Sequence, residues 1–326
     1  MVSLSIFNSK EYKDMKKGML KIFVDVLVLV GILVVIDLVV GYLGDGYANW
    51  LNQEPRNGDA ALINYDLNSA TPDVAIIGSS TAICHYVPDI IHDSLLVATN
   101  IDYEVFNMGM SKQKMAYNYY ALKGLVERKK PSIVIEDVWA SNVSVGDHPL
   151  YYQELRPYVN SNHNVKEMFE RHGAYNFLLK SKMYCYNTEL VKMLMSFMKP
   201  KGADGYKGSN VEMAGIVKLL DKDTTAVLTE SADEFDNMIK LCKSNSIKLF
   251  VVLSPALHAS DTTSASYTYI KKKCHANGIP FLDYSNDNRF YQSHYFCDPL
   301  HMNSYGAEFF TAELMKDIKP YLSESN

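Results

Sequence analysis

Short apolar runs recur along two parts of the chain and are typical of strands that a sheet buries on both faces. Longer stretches with helical periodicity separate them, at about residues 112–129, 228–245 and 263–277. Strands that alternate with helices predict an α/β fold, with a mostly parallel sheet between two layers of helices. The five runs that we predict as strands are residues 73–78, 103–108, 132–138, 247–253 and 279–283.

Residues 145–227 break this alternation and are rich in Tyr, Lys, Met and Asn. We expect them to form a mostly helical insertion after the third strand, inside a domain that spans residues 71–326. Loops inserted at the carboxyl edge of a sheet often carry specificity, so substrate recognition is expected here. The tyrosines of the insertion can stack on sugar rings or pack into a core, and the pattern leaves both open. They are Tyr151, Tyr152, Tyr158, Tyr175, Tyr184, Tyr186 and Tyr206.

One apolar run, Ile22–Leu43, is 22 residues long. A helix that crosses a bilayer needs roughly 20 mostly apolar residues, so we predict a transmembrane anchor over residues 22–43. Residues 44–48 lack a convincing small-x-small cleavage site, which favours an uncleaved anchor over a signal peptide. Asp37 lies inside the run, where it either faces a partner helix or is tolerated near the outer interface.

The segment before this run, residues 1–21, is basic, because its five lysines outnumber Glu11 and Asp14. Positive charge next to a span favours the cytoplasmic side. The pattern therefore predicts a single-pass chain with its N-terminus in the cytoplasm and residues 44–326 outside. Residues 44–70 are polar and are predicted to be a juxtamembrane linker.

The overall composition excludes some classes of partner and leaves others open. A net charge of −5 gives no reason to expect a nucleic acid. The hydrophobic content of 48% and charged content of 21% are ordinary for a globular domain. Five irregularly spaced cysteines predict no disulfide framework, although Cys84 and Cys297 could pair near the candidate site.

Candidate chemistry lies at two distant places in the chain. Ser80 follows the first predicted strand, and Asp298 stands three residues before His301 near the C-terminus. A serine hydroxyl needs a base to take its proton and a third group to orient that base, and these residues can fill the three roles. Ser80, Gly109 and Asn142 each follow the carboxyl end of a strand, where parallel sheets bind ligands. We therefore predict one site at that edge.

Two motifs resemble the SGNH (GDSL-type) esterase and acyltransferase superfamily. They are Val74-Ala75-Ile76-Ile77-Gly78-Ser79-Ser80 and Asp298-Pro299-Leu300-His301-Met302-Asn303. The resemblance covers residues 70–142 and 247–320. Ser79 stands where the family has aspartate, and this variant is similar to a membrane-anchored, envelope-associated branch that includes teichoic-acid D-alanylation and alginate O-acetylation proteins. The resemblance implies a flavodoxin-like three-layer α/β/α fold with a mostly parallel five-stranded sheet.

The resemblance also implies an oxyanion hole and a set of partners. Ser80 and Gly109 would supply backbone N–H donors and Asn142 a side-chain donor, although Asn142 is about two residues late for the family's Gly-x-Asn-Asp block. No cofactor is implied. An acyl donor outside the cytoplasm would come from a polytopic membrane protein that exports acyl groups, and the acceptor would be an envelope glycan.

These residues also allow other interpretations. His294, Cys297, Asp298 and His301 have spacings that could bind a metal, although structural zinc sites usually gather two separated ligand pairs. Our expectation is an extracytoplasmic serine acyltransferase or esterase that forms an acyl-Ser80 intermediate on O-acyl groups of a glycan. A plain carbohydrate or lipid esterase and a catalytically silent glycan-binding scaffold are the alternatives.

Overall fold

The sheet confirms the predicted fold class. The structure, a computed structural model, describes residues 9–112, 114–144, 149–214, 225–257 and 260–322. Five strands form one sheet in the order β2-β1-β3-β4-β5, and all neighbours pair in parallel. Each predicted strand is present within a few residues of its expected bounds. The strands are β1 (Val74–Ile77), β2 (Val105–Asn107), β3 (Ile133–Asp137), β4 (Lys248–Leu253) and β5 (Phe281–Asp283).

Helices cover both faces of the sheet because alternate residues of each strand point to opposite sides. Val74 and Ile76 of β1 pack with one layer, whereas Ala75 and Ile77 pack with the other. The first layer consists of α3 (Ser80–His85), α4 (Pro88–Thr99) and α11 (Ser304–Leu322). The second consists of α5 (Met115–Arg128), α9 (Thr229–Ser244) and α10 (Ala265–Ala276).

The strand order is that of flavodoxin-like sheets, in which the order of the strands reverses at β1 and later strands are added on its other side. Such sheets bind ligands at the carboxyl ends of the strands, in the crevice between β1 and β3. Ile77 at the end of β1 pairs with Glu136, one residue before the end of β3. The residues that follow these two strands therefore meet at the switch point.

The insertion is a chain of short helices along its first two thirds. It contains α6 (His163–Arg171), α7 (Lys182–Tyr186), α8 (Glu189–Met195) and three 3₁₀ segments, Pro149–Tyr158, Phe177–Lys180 and Ser196–Met198. Tyr152, Met168 and Phe169 share a buried cluster with α5. The predicted helical character is present over 149–198, whereas residues 199–214 have no helix. Residues 145–148 and 215–224 of the predicted insertion lie outside the described residues.

The N-terminal helix α1 (Ser9–Leu51) contains the predicted span. It is long and apolar enough to cross a membrane, with a hydropathy of 3.0, and its side chains from Tyr12 to Ile36 are exposed. The first eight residues of the predicted basic segment lie outside the described residues.

Residues 44–70, which we predict as a linker, are largely helical. The helix α1 continues to Leu51, and α2 (Asp59–Asn68) follows. Leu51 and Ala61 are buried in one hydrophobic cluster, which also contains Tyr186 of the insertion. The polar residues that suggested a linker belong to a packed helix, since Asp45 accepts hydrogen bonds from Lys182 and Tyr186.

The irregular segment after the helical part of the insertion crosses the carboxyl edge of the sheet. The N–H of Asn107 donates to Asp204 O at 2.9 Å, and the N–H of Lys207 donates to Ile83 O at 2.9 Å. Gly205 has a φ of +85°, and a Cβ there would lie 1.8 Å from Asn107 O. The segment therefore presses backbone to backbone on the end of β2.

We expect Gly205→Ala to destabilise the fold by more than about 3 kcal/mol, because left-handed strain adds to a backbone clash. Gly202→Ala is the matched control, since Gly202 also has a positive φ of +72° but has open space around its Cβ position. It should cost about 1 kcal/mol. Thermal unfolding measures both, and equal losses would contradict the backbone contact.

Candidate active site

Ser80 lies at the first turn of α3, directly after a sharp bend at the end of β1. Gly78 has a φ of +153°, and a Cβ there would meet the backbone O of Asp137 at 2.9 Å. Only glycine allows the two strand ends to approach this closely. Ser80 is half-buried and follows β1 at the switch point. As the first residue of α3, it carries a backbone N–H with no acceptor one turn earlier.

His301 and Asp298 lie in a tight loop before α11. The Asp298 Oδ1 atom accepts hydrogen bonds from the backbone N–H groups of Leu300 (2.8 Å) and His301 (2.9 Å). The imidazole Nδ1 atom of His301 lies 2.8 Å from Asp298 Oδ2 and 3.0 Å from Oδ1. Partial burial alone would raise the pKa of Asp298, but these hydrogen bonds outweigh it and hold the pKa below its ordinary value.

The fold brings the three predicted residues into one hydrogen-bonded chain. The Nε2 atom of His301 lies 2.8 Å from Ser80 Oγ, across 221 residues of sequence. Because an ionised Asp298 can only accept, Nδ1 carries the ring proton and Nε2 is free to accept the Ser80 O–H. This arrangement can remove a proton from the serine hydroxyl and stabilise the imidazolium that forms.

The Gly109 N–H and the side-chain oxygen of Asn142 are both hydrogen-bonded inside the protein. The Gly109 N–H donates to Asn107 Oδ1 at 3.0 Å. Asn142 is buried, and its Oδ1 atom accepts the N–H of Trp139 at 3.0 Å. Donation from either residue to an oxyanion stays a prediction, and for Gly109 it requires Asn107 to share or release the N–H.

Trp139 contacts the residues on either side of Ser80, and the sequence analysis missed this contact. Its indole N–H lies 3.2 Å from Ser79 Oγ and 3.1 Å from Thr81 Oγ1, the residues on either side of Ser80. Trp139 comes two residues after β3, in the block that departs from the family pattern. Its position just after the carboxyl end of a strand was the feature of the sequence that could have placed it near the site.

A buried polar network that the sequence analysis also missed lies next to these residues. Asp137, at the end of β3, accepts hydrogen bonds from the hydroxyl groups of Thr81 and Tyr86. His85 accepts the N–H of Met302 at Nε2 (3.0 Å), so its Nδ1–H faces Ser254 Oγ at 3.1 Å. Burial lowers the pKa of His85 to about 3, which keeps the ring neutral. The network ties α3 both to β3 and to the loop that carries His301.

We expect the stability that Asp137 contributes to depend on pH. Burial raises its pKa from 3.8 to about 6, although hydrogen bonds from Thr81 and Tyr86 oppose this shift. A raised pKa in the folded state means that the contribution is full below the ordinary pKa and is lost as pH rises through about 6. The stability of the wild type relative to Asp137→Asn should therefore be greater at about pH 4 than at about pH 7. Thermal unfolding across this range checks it, and a difference independent of pH would contradict it.

A cavity of about 330 Å³ borders Gly109 and α3, although Ser80, Asp298 and His301 do not line it. Ile83 of α3, Gly109 and Tyr206 line it, together with Asp59 and Lys207. Of the predicted tyrosines, Tyr206 therefore reaches a cavity. Tyr152, Tyr158 and Tyr186 are buried in the core clusters, Tyr175 and Tyr184 pack against one of them, and the side chain of Tyr151 lies outside the description.

The geometry gives no support to the alternative of a metal site. Both ring nitrogens of His301 are hydrogen-bonded, and the His294 ring packs on Tyr295 with centroids 4.1 Å apart. Across the described ranges, no three His, Cys, Asp or Glu side chains are grouped to hold an ion. Cys84 and Cys297 are both free thiols.

Comparisons with known proteins give only distant structural similarity. No protein-family model and no curated protein matches the chain. An acetyl xylan esterase, AlAXEase, aligns over 75% of this chain and 99% of its own, with 12% identity and a TM-score of 0.39. A putative acylhydrolase from Bacteroides fragilis covers 79% and 95%, with 12% identity and a TM-score of 0.35. A lipase/acylhydrolase from Enterococcus faecalis covers 76% and 96%, with the same identity and TM-score as the second. At these values the similarity carries no argument about function.

Proposed function

We propose that this chain is a membrane-anchored serine enzyme that transfers acyl groups to hydroxyl groups of a cell-envelope or exported glycan outside the cytoplasm. The observation that carries the proposal is the hydrogen-bonded chain of Ser80, His301 and Asp298 at the switch point of the sheet. Hydrogen bonds of 2.8 Å on both sides of the imidazole are the arrangement that activates a serine hydroxyl.

The reaction proceeds in two acyl-transfer steps. Ser80 Oγ attacks the acyl carbonyl while His301 Nε2 takes the hydroxyl proton, and Asp298 stabilises the imidazolium. The tetrahedral intermediate collapses to acyl-Ser80, and His301 gives the proton to the leaving oxygen. An acceptor hydroxyl then loses its proton to His301 and attacks the acyl-enzyme, and His301 returns that proton to Ser80 Oγ as the ester bond to Ser80 breaks. Water in place of that hydroxyl would make the enzyme an esterase.

Charge that develops on the carbonyl oxygen needs donors that are already in position. The Ser80 N–H is the first of these. Gly109 is the second, once Asn107 shares its hydrogen bond, and the Asn142 amide is the third. The cavity beside Gly109 has both charged and apolar walls, and we assign the acceptor to it on that basis.

The long apolar helix supports the membrane part of the proposal. The side chains of α1 from Tyr12 to Ile36 are exposed, so the helix is not a core helix of the domain that the structure describes. An anchored transferase benefits from a donor held in the same membrane, because tethering raises the effective donor concentration. We expect that donor to come from a polytopic protein that exports acyl groups.

A catalytically silent glycan-binding subunit is the second candidate. The internal hydrogen bond of Gly109 favours it, since this N–H donor is engaged without a ligand. The two candidates differ in whether Ser80 reacts.

Labelling with a serine-directed fluorophosphonate separates the two. We expect the wild-type chain to be labelled and Ser80→Ala to remain unlabelled. Ser79→Ala is the matched control and should still be labelled, because Ser79 Oγ faces Trp139 (3.2 Å) and has no bond to His301. A chain that stays unlabelled, or a label that is lost with Ser79 and kept without Ser80, would reject the proposal.

A further inference from the structure

The insertion is attached to α1 within the apolar part of that helix. The carboxylate of Asp37 accepts hydrogen bonds from Ser181 Oγ (2.6 Å), Lys182 N (3.2 Å) and Met183 N (2.8 Å). The one acid in the middle of the apolar run is thus paired with the start of α7 from the same chain. Neither a partner helix nor water is needed to satisfy it.

Close packing continues outward along the same stripe of α1. A Cβ at Gly41 would lie 2.7 Å from Lys182 Cγ, and one at Gly44 would lie 2.6 Å from the Tyr186 ring. Asp45 then binds Lys182 Nζ at 2.7 Å. Asp37, Gly41, Gly44 and Asp45 recur at helical spacing, so a single face of α1 is shaped to receive α7.

The position of Asp37 defines the depth of this contact. It lies six positions before Leu43, where the apolar run ends, which is roughly 9 Å along a helix that rises 1.5 Å per residue. Interfacial segments are buried about 5–10 Å into the boundary between headgroups and acyl chains. If α1 crosses the bilayer over its apolar run, α7 and the 3₁₀ turn before it lie within the outer leaflet.

Three exposed side chains at this depth are apolar, and they lie beside the exposed polar residues Lys180 and Asn187. Phe177 is 78% exposed, Leu178 is 53% exposed and Met183 is 41% exposed. With Val30 and Val34 of α1 they line an open groove of about 690 Å³. Exposed surface of this kind is costly in water and favourable in lipid.

Polar and aromatic residues near the groove fit the same placement. The Lys180 Nζ atom lies 5.5 Å from the Phe177 ring centroid, and its long side chain can reach the headgroups from there. Farther out, the Trp50 ring lies 5.3 Å from Tyr47 and 5.7 Å from Phe197. Aromatic residues of this type concentrate where a membrane meets water.

We propose that residues 177–187 form an interfacial element embedded in the outer leaflet beside α1, and that lipid acyl chains fill the groove between them. This inference rests on the membrane anchorage in the proposed function but not on its chemistry. Lipid is the occupant because the groove is continuous with the exposed apolar surface of α1. The element gives the domain a second attachment to the membrane, which limits its tilt and rotation about α1.

Cysteine accessibility in the full-length chain tests this inference. The purified protein is reconstituted in phosphatidylcholine vesicles at a low protein-to-lipid ratio. It is then treated with a membrane-impermeant maleimide, and labelling at each introduced cysteine is measured by mass spectrometry. Phe177→Cys and Leu178→Cys report on the element. Val211→Cys reports on water-exposed surface, since Val211 is 62% exposed, and Val30→Cys reports on the span.

We expect both element variants to react at least tenfold more slowly than Val211→Cys. This is expected although Phe177 is 78% exposed in the structure and Val211 is 62% exposed. Denaturation in SDS should equalise the rates. Rapid reaction of both element variants with Val30→Cys protected would overturn the embedded element and leave the anchor intact. Reaction of Val30→Cys would instead overturn the anchorage itself. Protection that is present in cells and absent in vesicles would mean a protein partner, and protection lost on further dilution in lipid would mean a second copy.

Discussion

Replacing Ser80 by alanine is expected to reduce ester turnover by about 10³-fold or more, and His301→Ala should cause a similar loss. The two residues share one hydrogen bond of 2.8 Å and act in one step, so the double variant should be no worse than either single variant. Asp298→Ala should cost less, because the imidazole keeps some basicity without its orienting partner. Steady-state turnover of an activated ester, with kcat and KM measured separately, checks all four variants.

The controls for this prediction come from the same loops. Ser79→Ala should retain most of the activity, because its hydroxyl contacts Trp139 and not the imidazole. Circular dichroism must show that each variant is folded, since α3 is tied to two other elements through Thr81 and His85. Wild-type turnover in a folded Ser80→Ala chain would exclude the acyl-Ser80 mechanism, and additive losses for Ser80 and His301 would show that they act independently.

Addition of an acceptor glycan is expected to shift the main product from free acid to acylated sugar. A transferase must hold the acceptor hydroxyl in attack geometry and keep bulk water away. The insertion provides Tyr206 and Lys207 as walls of the cavity beside Gly109. These side chains would shield an acceptor in that cavity from bulk water. Without acceptor, we expect slow hydrolysis of small esters. Free and sugar-bound acyl groups, measured by mass spectrometry across acceptor concentrations, give the ratio.

The full-length chain in vesicles is the appropriate material for this measurement, because α1 packs on both α2 and the insertion. A fully O-methylated form of the same glycan is the matched control, since it has no hydroxyl to accept an acyl group. Fast hydrolysis that persists, with no acylated sugar at any acceptor concentration, would favour the plain esterase. Absence of both products would favour the silent scaffold.

The strands and the candidate triad could be predicted from sequence because their signals are local. Apolar runs such as the one before Gly78 favour strands that are buried on both faces, as β1 and β3 are. The Asp298 and His301 pair is also local, since Asp298 folds back on the backbone N–H groups of the next few residues. Alternating strands and helices then placed Ser80 at the carboxyl edge, and the observed strand order confirms the sheet.

Hydrogen-bond partners that are separated by long stretches of chain leave no such local signal in the sequence. Apart from its position after β3, nothing near Trp139 indicates that its indole reaches Ser79 and Thr81, and nothing near His85 indicates a contact with Met302, 217 residues away. A hydrogen bond depends on two groups meeting in space, so a polar residue looks the same in sequence whether it faces water or a distant partner.

The sequence by itself determined the parallel sheet, the apolar span and the residue types available for chemistry, because periodicity and hydrophobicity are properties of neighbouring residues. Only the tertiary structure decided how the polar residues are used. It showed that residues 44–51 are helix and not linker, since the face with Gly44 and Asp45 packs on α7. It also paired Asp37 with Ser181 and directed the Gly109 N–H to Asn107. The physical reason is that burial of a polar group is stable only when a partner satisfies it, and the fold alone selects that partner.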